Sequence, residues 1–75
     1  MYSFHMHPRT FSKLAVTWAC MSLKNDGCSI EADKYGLGWE VSLPASQGGN
    51  TFVCENYQDL CTLAREVRNG EHAHV

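Results

Sequence analysis

The stretch CSIEADKYGLGWEVSL, Cys28 to Leu43, alternates apolar with polar residues on both sides of a glycine-bearing break. Cys28, Ile30 and Ala32 interleave with Ser29, Glu31 and Asp33. Trp39, Val41 and Leu43 interleave with Glu40 and Ser42. A period of two repeated in adjacent runs is the pattern of a β-hairpin with one dry and one wet face. The turn falls in Lys34-Tyr35-Gly36-Leu37-Gly38, where glycine admits the positive φ that hairpin turns require. On this register Trp39, Val41 and Leu43 point inward, and the wet face carries Glu31, Asp33 and Glu40.

Working outward, Pro44 closes the second strand, because proline cannot donate to a ladder. Ala45 to Asn50, with Gly48-Gly49, reads as a flexible loop. Thr51 to Cys54 is a third short strand with Phe52 and Cys54 on one side. A helix is expected on each flank. In the first, from Arg9 to Asn25, Phe11, Leu14, Trp18 and Met21 share a face with Ala15, Thr10 serves as N-cap, and Asn25-Asp26-Gly27 is the stop. In the second, Asn56 is the cap, Asp59 supports the positive end, Tyr57, Leu60, Cys61, Ala64 and Val67 form the stripe, and Asn69-Gly70 ends it. The order is α-β-β-β-α. The simplest packing is a two-layer α+β fold, a three-stranded antiparallel meander with both helices on one face. Residues 1–8 read as an N-terminal tail, 9–70 as a single domain, and 71–75 as a C-terminal tail.

The first helix is apolar over more than one stripe. Val16, Ala19 and Leu23 form a second ridge, so either the sheet wraps the helix deeply or this ridge meets another chain; it is assigned to self-association, and a homodimer is among the expected partners. A chain of 75 residues lies near the size below which one core struggles to hold a fold, and dimerisation would help it. The core itself is expected to be anchored by Trp18, Trp39 and Phe52.

Eight acids against six bases give a formal charge of −2. Phosphate-gripping proteins draw their affinity from clustered Lys and Arg, so this balance argues against nucleic acid. No stretch has the ~18 consecutive apolar residues of a membrane span, and the start lacks the basic head and apolar run of a secretory signal. The chain therefore reads as cytoplasmic, with its four cysteines as reduced thiols. Cys20 and Cys28, and Cys54 and Cys61, are too widely spaced for the C-x₂₋₄-C pairs with which zinc modules grip their ion. Three of the four lie on core faces, where a free cysteine behaves as a small hydrophobe. The histidines, His5, His7, His72 and His74, are confined to the tails. No serine has a core histidine as its base, and the carboxylates on the wet face are solvated rather than tuned by burial. Neither enzymatic activity nor a cofactor is expected.

The element order α-β-β-β-α is also that of the double-stranded-RNA-binding domain. That resemblance is topological and implies a small nucleic-acid-binding regulatory domain as the alternative function. The family grips phosphates with a lysine-rich start to its last helix; here the start reads Asn56-Tyr57-Gln58-Asp59, without a base. The leading expectation rests on the acidic hairpin. Glu31, Asp33 and Glu40, with Tyr35 and Trp39 as aromatic anchors at the turn, are expected to dock on a protein complex with a basic surface. In size, charge and lack of catalytic groups the chain is similar to phage and mobile-element accessory proteins, anti-CRISPR inhibitors among them. The expected function is inhibition or modulation of a larger, nucleic-acid-handling complex.

Overall fold

The computed structural model describes residues 8–32 and 38–73, with side chains from Ser12 onward. The order along the chain is α1 (Pro8–Asn25), β1 (Ser29–Ala32), β2 (Trp39–Ser42), a 3-10 turn (Ala45–Gln47), β3 (Thr51–Cys54) and α2 (Tyr57–Arg68). The strands form one antiparallel sheet in the order β1-β2-β3, and both helices contact it. This is the expected two-layer α+β architecture.

The register follows from the alternation in the sequence. Ile30, Val41 and Phe52 form one row across the sheet, and Trp39 pairs with Ala32 and Cys54 in the next inward row. Between them lies the outward row Glu31, Glu40 and Val53, and beyond it the row Ser29, Ser42 and Thr51. Val41 is fully buried and Leu43 nearly so, while Trp39 is half-buried at the margin of the core.

The helix ends are built by local chemistry. Proline at the first position of α1 has φ preset for the helix and no N–H to leave unpaired, so α1 starts at Pro8 rather than after a Thr10 cap. At the other end, Cys28 N donates to Leu23 O (3.0 Å) and Gly27 N to Lys24 O (3.1 Å). This is a Schellman cap, and it needs the left-handed φ of +89° that Gly27 adopts. Leu23 and Cys28, bracketing that cap, are both in the core, so the turn delivers the chain from helix to sheet without losing burial. The end of α2 repeats the device: Glu71 N donates to Glu66 O (3.0 Å) and Gly70 N to Val67 O (3.0 Å). At its start, Asn56 Oδ1 accepts from Asp59 N at 2.8 Å, the cap expected from sequence.

Packing reverses one expectation. Ala19 and Leu23 are fully buried, in a core shared with Val41, Cys54, Leu60, Leu63, Ala64 and Val67. The face of α1 expected to be inside is outside: Leu14 is 54% exposed, Trp18 38% and Met21 67%. The reason is size. Ala15, Ala19 and Leu23 lie four residues apart along one ridge, and two alanines there let α1 approach both α2 and the sheet, where Trp18 or Met21 would hold it away. The ridge assigned to self-association is therefore closed within the chain, with Val16 half-buried against the same core. Leu23, Leu60, Val41 and Val67 anchor the core; Trp39 and Phe52 pack against it half-buried, while Trp18, expected as an anchor, is exposed.

Two segments are more ordered than their composition suggests. Residues 45–50, read as a flexible loop, hold a 3-10 turn in which Gln47 N donates to Pro44 O (2.9 Å), and Leu43 N closes the loop on Asn50 O (2.9 Å). Past α2, Ala73 N donates to Gly70 O at 3.1 Å. The His72 ring stands 5.3 Å from that of Phe52, with Nε2 3.2 Å from Glu66 Oε1. The chain stays folded three residues into the stretch expected as a tail. His5, His7 and His74 lie outside the described residues. Among the described residues, no helix is long and apolar enough to cross a membrane.

Candidate functional site

The sheet's outer face follows from the pleat. Because side chains alternate, every polar residue between the inward rows emerges on the same side. Glu31 and Glu40 are direct cross-strand partners, and Val53, 57% exposed, completes their row. In the neighbouring outward row, Ser42 Oγ and Thr51 Oγ1 are hydrogen-bonded at 3.0 Å. None of the three strands contains a Lys or Arg. Like charges opposite each other cost a sheet a few tenths of a kcal/mol or more, so this row is a small expense to the fold that binding to cations would offset.

The five residues expected to form one site are divided by the structure. Glu31 and Glu40 come together. Trp39 follows the inward parity and belongs to the opposite face of the sheet, so it does not extend the acidic row. It lines a groove of about 1170 Å³ with Lys13, Val16, Thr17 and Glu55. The pleat that makes Glu40 outward makes Trp39 inward, so adjacent residues cannot serve one flat surface. Asp33 and Tyr35 lie outside the described residues.

The second surface was missed in the sequence. Leu14, Trp18 and Met21 run along the outer side of α1 and overlook α2. Cys61 Sγ lies 3.5 Å from Ala15 O, fixing the helices closely side by side. Residues 14–18 of α1 face 57–65 of α2, and residues 18–26 face Arg68, so the two helices run parallel. Along the helix pair lie two neighbouring hollows of about 590 and 350 Å³, both lined by Trp18, which together form a trough. Arg65 lines the larger and Arg68 the smaller, where Asp26 is the single carboxylate. The signal that could have revealed this face was the apolar excess of α1, which one core cannot absorb.

The thiols are placed as core atoms. Cys28, Cys54 and Cys61 are buried, Cys20 is half-buried, and all four are free. Among the described residues, no three His, Cys, Asp or Glu side chains converge where a metal ion could sit. Burial pushes every one of these thiols above the ordinary value of 9.0. Asp26 adds to the effect at Cys28 and Asp59 at Cys54, while Lys24 partly offsets it at Cys20, as does Arg65 at Cys61. The fold thus favours the neutral thiol. That contribution to stability is fully present below pH 9.0 and is lost as pH rises through the higher folded-state values. Two results are expected. Iodoacetamide near neutral pH should label Cys28, Cys54 and Cys61 only once denaturant is added, as read by mass spectrometry. The urea midpoint should also fall as pH climbs beyond the ordinary thiol range.

For the nucleic-acid alternative, the position to compare is the start of α2. Its first turn carries Asp59, while its bases, Arg65 and Arg68, are in the last turn. The position at which a double-stranded-RNA-binding domain grips phosphate is therefore acidic. No protein-family model matches the chain, nor does any curated protein or solved structure.

Proposed function

We propose that this chain is a protein-binding module that occupies a basic surface of a larger, nucleic-acid-handling complex and so inhibits or modulates it. The observation that carries this reading is the Glu31–Glu40 cross-strand pair on a solvent-facing sheet face whose strands hold no base. Such a face complements a Lys/Arg groove, steers encounter with it, and repels nucleic acid competing for the same groove. The contact needs no chemistry from the module; covering the groove is sufficient.

The test separates binding from folding by sign. Glu31→Lys turns a like-charge pair into an opposite-charge pair, so the fold should gain about 0.2–1 kcal/mol in urea unfolding. The same substitution, and more strongly Glu31→Lys with Glu40→Lys, should abolish capture of the partner retained by the wild-type chain from its native host, identified by mass spectrometry. Retention by the wild type should also weaken as salt is raised. Undiminished capture of the same partner by the folded double variant would remove the acidic face as the contact. A mobility-shift titration at low salt addresses the nucleic-acid alternative, and no retardation of DNA or RNA is expected.

A further inference from the structure

We infer that the trough between α1 and α2 is a second docking site, on the opposite layer from the acidic sheet face, and that it receives an acidic amphipathic helix of a partner protein. The inference goes beyond the reading of the sheet face and does not depend on it.

Three features carry it. The outer wall along α1 is apolar and open: Leu14, Trp18 and Met21, one turn apart along α1, remain exposed although α1 packs closely on α2. A Trp flanked by Leu and Met at this spacing is the arrangement that grips the apolar stripe of an incoming helix. The length also fits. From Leu14 to Asn25 the trough runs roughly 16 Å at ~1.5 Å per residue, about three turns of a docked helix. The third feature is charge. Arg65 and Arg68 line the α2 side, and no ion pair among the described residues holds either guanidinium. Asp26 is the one carboxylate lining the trough. Two open guanidiniums beside an apolar stripe call for carboxylates on the flank of the occupant.

The same charges choose among occupants. A second copy docked trough to trough about a two-fold axis would bring two more arginines, Arg65 and Arg68 of its own, into the shared cleft. Like charges would then gather where counter-charge is needed. A partner helix with glutamates along one flank has no such conflict.

The probe is a pair of synthetic helical peptides, each of about 18 residues with Leu at every third or fourth position. One carries glutamates on its flank; in the other, lysines replace them. Fluorescence anisotropy with the full chain should show micromolar binding of the acidic peptide, and at least about tenfold weaker binding of the lysine peptide. Met21→Glu and, separately, Arg65→Glu with Arg68→Glu should each weaken the acidic peptide by at least about tenfold. These side chains are exposed, so circular dichroism should show the fold retained. Glu31→Lys with Glu40→Lys should leave peptide affinity unreduced, which distinguishes this site from the sheet face. Equal binding of both peptides, or no binding of the acidic one, would overturn the inference. So would sedimentation of the wild type as a dimer that Met21→Glu dissociates, because the trough would then belong to a second copy.

Discussion

A Gly38→Ala chain is expected to lose at least about 3 kcal/mol of stability, the combined cost of a forced backbone shift and a strained φ. Gly38 enters β2 with φ +134°, a region that side-chain-bearing residues rarely adopt. A Cβ there would lie 1.9 Å from Cys54 O and 2.9 Å from Cys54 C. These are backbone atoms of β3, the strand paired with β2, so no side-chain rotation can relieve the overlap. The two strands would have to part where Trp39 pairs with Cys54. For a domain of 75 residues, holding roughly 0.05–0.15 kcal/mol per residue, that is a large share of total stability. Gly70→Ala is the control. Its φ is +75°, and a Cβ would meet nothing within 4 Å, so it should cost only the ~1–2 kcal/mol of a left-handed residue. Urea unfolding of the two variants should show a wide gap. Equal midpoints would mean that β2 and β3 do not approach as described.

Leu23→Ala should cost about 2–5 kcal/mol, enough to leave much of the population unfolded. Leu23 is fully buried between α1, α2 and the sheet, and its loss leaves a cavity that the backbone of a two-layer fold cannot close. Met21→Ala, two residues away, should change stability by no more than about 0.5 kcal/mol, since an exposed side chain leaves no cavity. The contrast decides the orientation of α1. If the costs are exchanged, the helix is rotated about its axis, and the Leu14–Trp18–Met21 surface becomes core.

That rotation is where reading the chain and seeing it folded diverge. The hairpin was legible because a period of two has only two phases, and a one-residue slip would place Glu31 and Glu40 in the core. The caps were legible because Asn56, Gly27 and Gly70 act on atoms within a few residues of themselves. The face of α1 was not. Residues 14–23 are apolar at eight of ten positions, so hydrophobicity is satisfied by either orientation.

Local chemistry thus determined from sequence alone which segments coil, which pair, where each stops, and that two carboxylates would emerge together on the sheet. Tertiary contact decided which side of α1 is inside, because close approach of two helices and a sheet selects small side chains at the contact. It also decided that Arg65 and Arg68 would border the exposed apolar side of α1. That juxtaposition joins residues some fifty positions apart in the chain, and no periodicity within one segment encodes the distance between two.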